Sequence, residues 1–132
     1  VFVDTSVLYA LLVATEEDHA SVVATLRRLV KSKRPLVTSN YVLLETAALL
    51  QHRFGVTAVH DFEERIVPLL RITWISAELH QRAVERLLRT NRRELSLVDC
   101  SSFEVMGSGG IREAFTLDPD FATAGYRILP RS

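Results

Sequence analysis

Short apolar, β-rich runs alternate with longer helical stretches from one end of this chain to the other, and that alternation narrows the folds open to it. The β-like runs are Val1–Val3, Leu36–Thr38, Arg71–Ile75, Glu113–Leu117 and Arg127–Leu129. Asp4-Thr5-Ser6 opens a helix reaching Leu12. Thr15-Glu16-Glu17-Asp18 has the form of a capping box and predicts a helix over 16–31, closed by Arg34-Pro35. Ser39 or Asn40 caps a helix to Phe54, which Gly55 stops. Further helices are expected over 57–70, from a Ser76 cap to Thr90, and from the Ser96-Leu97-Val98-Asp99 capping box to Met106. Gly107-Ser108-Gly109-Gly110 reads as a flexible turn. Strands this short, separated by helices, require crossover connections. The expected architecture is a three-layer α/β/α sandwich with a mostly parallel central sheet, in a single domain over residues 1–132.

Composition excludes several classes. Lys+Arg and Asp+Glu are both 16, so the formal net charge is zero and any nucleic acid must be held by a local basic patch. Cys100 is the only cysteine, which rules out an intrachain disulfide and makes the reducing cytoplasm the expected location. No apolar run reaches the roughly 20 residues of a membrane span, and no secretory signal is visible. The chain begins inside an apolar strand without Met, so a few native residues are expected to precede Val1.

Four acids sit beside apolar runs. Asp4 closes Val1-Phe2-Val3, Glu45 interrupts the apolar stretch Tyr41–Leu50, Asp99 follows Leu97-Val98, and Asp118 ends Ala114–Leu117. Taken singly, Asp4 is a helix cap, Asp99 the acid of a capping box, and Asp118 an N-cap before Pro119. Glu45 lies inside a helix, where capping cannot help it and a partner Arg or Lys is the structural alternative. In open α/β sheets, sites form beyond the carboxyl ends of strands. Asp4 and Asp118 occupy such ends, and Glu45 and Asp99 lie on helices that can reach the same edge. Crowded carboxylates repel one another. A Mg²⁺ or Mn²⁺ ion removes that repulsion, polarises a phosphoryl oxygen and lowers the pKa of bound water. Thr5 and Ser6 add hydroxyls beside Asp4, either as site contacts or as ordinary first-turn residues.

Several segments taken together resemble a known family. Val3-Asp4-Thr5-Ser6, the helical Glu45, the stretch Leu95–Phe103 around Asp99, the stretch Gly110–Phe121 around Asp118, and Ala124-Gly125-Tyr126 with Leu129-Pro130 resemble, in order, the motifs of the PIN-domain ribonucleases. Within that family the likeness is to the VapC-type toxins of bacterial toxin–antitoxin modules. The resemblance implies a PIN-like fold and an endoribonuclease dependent on Mg²⁺ or Mn²⁺. Asp4, Glu45, Asp99 and Asp118 would be its catalytic and metal-holding quartet, with RNA as substrate and a small antitoxin as partner. It also implies a homodimer. Two departures stand out. Asp120 lies where relatives often carry a basic residue or His; it reads as a surface acid that could also support the site. Gly107-Ser108-Gly109 replaces a stretch that starts with a basic residue in many relatives, which implies a weaker grip on substrate or a more mobile loop.

Arg82, Arg86, Arg89 and Arg93 recur at helical spacing. They form either a solvated face paired with Glu78 and Glu85 or a stripe that follows RNA phosphates. Arg27, Arg28, Lys31, Lys33 and Arg34 cluster at a helix end, where the dipole favours cations. The helix carrying Glu45 is apolar nearly all round and needs cover on two sides, which a second subunit can provide. His19, His52, His60 and His80 lack metal-ligand spacing, and Cys100 reads as a small core residue. Two other functions fit part of the pattern. A non-catalytic PIN-like RNA-binding or scaffold domain leaves the acids without a purpose. A receiver-like phospho-accepting domain needs a Lys near the last strand, and the only lysines are Lys31 and Lys33.

Overall fold

The computed structural model describes residues 1–131. Its strands are β1 (Phe2–Val3), β2 (Val37–Ser39), β3 (Arg71–Thr73), β4 (Glu113–Phe115) and β5 (Arg127–Leu129). They form one parallel sheet in the order β3-β2-β1-β4-β5. The helices are α1 (Thr5–Leu12), α2 (His19–Lys31), α3 (Asn40–Phe54), α4 (Val56–Arg65), α5 (Ala77–Thr90), α6 (Leu97–Gly109) and α7 (Asp120–Thr123). The expected α/β/α sandwich is therefore present. Phe2 stacks on Phe121 of α7, which meets Phe103 of α6 edge to face, so α6 and α7 cover the side to which Phe2 points. Side chains alternate along a strand. Glu113, Phe115 and Leu129 accordingly face the other side, where α1 and α2 lie.

From β1 the chain steps outward to β2 and β3 on one side, then returns to β4 and β5 on the other. The switch falls between β1 and β4, where the diverging connections leave a crevice at the carboxyl ends. Asp4 and Asp118 follow those two strands and flank it.

Local chemistry explains the helix ends. Ser39, Ser76 and Ser96 each accept a backbone N–H from the first turn of α3, α5 and α6. Gly55, at φ +84°, ends α3 and begins α4.

Several expectations need correction. The capping box at Thr15 does not form: the N–H groups of Glu16 and His19 bond turn carbonyls, and α2 starts only at His19. The helix expected over 57–70 stops at Arg65, because Pro68 has no N–H to continue it; Val67–Leu69 form a single 3₁₀ turn. Gly107-Ser108-Gly109 is not a loop but the last turn of α6. Gly110, at φ +65°, ends it, with Ile111 N–H bonded to Met106 O at 2.9 Å. The strands at Arg71 and Glu113 end at Thr73 and Phe115, where their neighbours' pairing also ends. No helix among the described residues is long and apolar enough to cross a membrane.

Candidate active site

Asp4 is the deepest acid, 5% exposed at the end of β1. Its Oδ2 accepts hydrogen bonds from Ser6 Oγ at 2.8 Å and Thr116 Oγ1 at 2.9 Å, with a longer one from Ser6 N–H. Burial pushes the carboxyl above the ordinary Asp range, and the Ser6 and Thr116 hydroxyls oppose that shift. Among the described residues no Lys, Arg or His forms an ion pair with it. Thr5 Oγ1 beside it is buried without a hydrogen-bond partner.

The segment after β4 is stitched to this wall. Thr116 Oγ1 accepts the Asp118 N–H at 3.0 Å, and Ser6 Oγ accepts the Leu117 N–H at 2.9 Å. Asp118 is half-buried, and its Oδ1 takes the Asp120 N–H at 2.9 Å. Thr116 was not singled out by sequence reasoning. The available signal was a hydroxyl residue two positions before Asp118, at the strand end beside the switch point.

Asp99 forms the predicted capping box: its Oδ2 accepts Ser96 N–H at 3.1 Å, and its own N–H bonds Ser96 Oγ at 3.0 Å. It nevertheless lies within charge range of Asp4 and Asp118. Burial first, and then the negative charges of Asp4 and Asp118, push its pKa up against the opposing Ser96 bonds. Asp4, Asp99 and Asp118 thus share one electrostatic field. Glu45 is half-buried on α3. It lines a nearly apolar depression of about 300 Å³ with Tyr41, Leu44, Ala48 and Val98, the residue preceding Asp99.

Among the described residues no three His, Cys, Asp or Glu side chains are gathered closely enough to chelate an ion by themselves. That spacing still fits Mg²⁺, which keeps several of its waters and takes only one or two carboxylates. The chemistry of the donors supports the fit. Buried Asp4 has hydroxyl donors but no cation, Thr5 Oγ1 is an orphaned oxygen, and Asp99 is destabilised by its like-charged neighbours.

The arginine face resolves into separate contacts. Arg82 and Arg86 turn to Glu104 of α6, with Nε–oxygen distances of 3.3 and 2.7 Å, rather than to Glu78 and Glu85. Arg86 also lies over the Phe103 ring. Arg93 falls beyond the end of α5, and Asp120 pairs with Arg92 at 3.3 Å. Among the histidines, His19 contacts Ala10 O, His80 the Tyr41 hydroxyl, and His60 Glu64. Cys100 is buried, as expected of a core residue.

A PIN domain family model matches residues 1–125. The chain belongs to the PIN domain family. It is 42% identical over 128 residues to the 23S rRNA-specific endonuclease VapC20 of Mycobacterium tuberculosis, covering 96% of this chain and 95% of the relative. The crystal structure of that M. tuberculosis VapC20, a Sarcin-Ricin loop cleaving toxin, superposes with a TM-score of 0.82 at 40% identity, covering 95% of each chain. FitAcB from Neisseria gonorrhoeae shares the fold at 18% identity, with a TM-score of 0.70 over 96% of this chain and 94% of the other. The five parallel strands and their flanking helices are thus the PIN arrangement, with Asp4 and Asp118 at its switch point.

Proposed function

We propose that this PIN-domain chain is an endoribonuclease, the toxin of a toxin–antitoxin pair, acting on RNA phosphodiester bonds through Mg²⁺ or Mn²⁺ at Asp4, Asp99 and Asp118, with Glu45 at the rim. The observation that carries the reading is buried Asp4, without a cationic partner, at the switch point and in one field with Asp99 and Asp118. A divalent ion bound there supplies a Lewis acid for the phosphoryl oxygen and lowers the pKa of a coordinated water. The chain's own residues orient the acids. Ser6 and Thr116 anchor Asp4, Ser96 anchors Asp99, and the Asp120 N–H anchors Asp118, each through one named oxygen. The opposite oxygen keeps its lone pairs for a cation.

The identity to a 23S rRNA-specific endonuclease across nearly the full length supports RNA as substrate and makes 23S rRNA the first target to test. Arg89 and Arg93 are exposed and free of ion pairs among the described residues, so they are the members of the arginine face left to meet phosphate. As a toxin the protein requires a restraining antitoxin. An Arg of that partner would match the acidic pocket, since a guanidinium fork pairs well with clustered carboxylates. The α3 face supports a homodimer: Leu44 is 71% exposed, with Ala48 and Leu49 exposed beside it.

Incubation of the purified protein with ribosomal RNA, followed by sequencing of the new 5′ ends, tests the function. Cleavage at defined positions is expected in Mg²⁺ or Mn²⁺ and none in excess chelator. Full activity of extensively demetallated protein would overturn the metal assignment. Intact RNA under every ion condition would overturn the nuclease.

A further inference from the structure

On the side of the sheet away from α6 and α7 lies a cleft of about 490 Å³ that shares no residue with the acidic pocket. One wall is α2, whose Ser21, Thr25 and Arg28, followed by Ser32, fall at helical spacing on a single stripe. The other is the edge of the sheet, with Glu113 of β4, Leu129 of β5 and Arg131 just beyond. Three guanidinium groups, those of Arg28, Arg34 and Arg131, therefore line it. Glu113 is the one carboxylate among the lining residues, and it is already bound to Arg34. Arg28 and Arg131 are exposed and form no ion pair with any described residue.

In a chain of zero net charge, this concentrates two uncompensated cations and the hydroxyls of Ser21 and Thr25 in one concavity, while the Ser32 hydroxyl already donates to the Leu29 carbonyl at 3.0 Å. Guanidinium forks with hydroxyl donors are the chemistry that binds phosphate oxygens. No aromatic side chain lines the cleft, so it is built to follow a backbone and not to stack bases. Arg28, Arg34 and Glu113 lie toward the amino end of the sheet, and Leu129 ties the cleft to the carboxyl end where Asp4 sits. The Leu129 carbonyl accepts the Thr116 N–H at 2.9 Å, and Thr116 Oγ1 donates to Asp4. A polyanion reaching the acids is repelled by them, and cations farther along its path offset that repulsion.

We infer that the α2–β5 cleft holds the phosphate backbone of the RNA substrate on one side of the scissile bond, an assignment that rests on the proposed nuclease function. The test is the salt dependence of KM for the RNA that the wild-type protein cleaves. Replacing two phosphate contacts (Arg28→Ala with Arg131→Ala) should raise KM roughly 30-fold at ~0.1 M salt and flatten the log–log salt slope by about 1.4 to 1.8. Arg131→Ala alone should give about half that change in slope, and Arg28→Lys with Arg131→Lys should recover most of the loss, which a merely structural defect would not permit. Unchanged KM and salt slope in the Ala variants, with wild type still cleaving, overturns the cleft and leaves the nuclease standing. A wild-type protein that neither binds nor cleaves RNA overturns both.

Discussion

Helix α6 carries two acids about one and a half turns apart, in opposite electrostatic settings. Glu104 is held between Arg82 and Arg86, and the Arg86 guanidinium also covers Phe103. Its charge ties α5 to α6. Asp99 has no ion-pair partner among the described residues and faces Asp4 and Asp118, whose charges add to the cost of its own. The first arrangement lowers the free energy of the folded chain. The second raises it, and under the proposed function a cation at the switch point would offset that cost. On the proposed function, the contrast separates charge that holds the fold from charge that the fold holds for a ligand.

The largest expected effect tests the second half of that contrast. Asp99→Asn keeps the shape and removes the charge. RNA cleavage should fall by at least ~10²-fold, the scale on which a single preorganised electrostatic element acts. In chelator, the same variant should melt no lower than wild type, because a repulsive charge has gone. Cleavage within a few-fold of wild type would place Asp99 with Glu104 as a structural acid.

A smaller effect is expected at Glu104. Glu104→Ala strands two arginines, but both are partly solvated, so the loss should be about 1–2 kcal/mol. That corresponds to a fall in Tm of about 5 °C for a domain of this size. Cleavage per folded molecule should stay near the wild-type rate. A collapse of activity with an unchanged melt would show that the α5–α6 seam serves the chemistry.

The smallest signal is in pH. Burial raises the pKa of Asp4, and burial with its acidic neighbours raises that of Asp99. The folded state therefore binds these protons more tightly than the unfolded chain, whose Asp groups titrate near ~3.9. Their stabilising contribution is complete below that value and is lost as pH rises through the folded values. Metal-free protein should thus gain Tm as pH is lowered from neutral into the mildly acid range, and Asp99→Asn should flatten the trend. A metal-free melt that falls steadily over that range would contradict the unpaired setting of these acids.

Much of this was legible in the residues. The serine caps at Ser76 and Ser96 act over three positions and appear where the side chains predicted them, and of the two candidates Ser39 and Asn40 it is Ser39 that caps α3. The strand-end acids Asp4 and Asp118 were equally readable, because alternating strands and helices force a parallel sheet whose carboxyl edge collects them. The failures share a cause. Thr15-Glu16-Glu17-Asp18 has a capping signature, yet its N–H groups find turn carbonyls between two docked helices. Gly107-Ser108-Gly109 has low helix propensity, yet buried Met106 and the Gly110 cap carry α6 through it.

The sequence by itself determined the α/β alternation, the helix caps, and which acids stand at strand ends, since these depend on interactions within a turn or two. Only the tertiary structure decided which charges would be satisfied. Glu104 meets Arg82 and Arg86 because α5 docks on α6, and Asp4 is clamped by Thr116 because β4 lies beside β1. Ion pairing and burial are set by neighbours distant along the chain, and no local pattern in the residues encodes them.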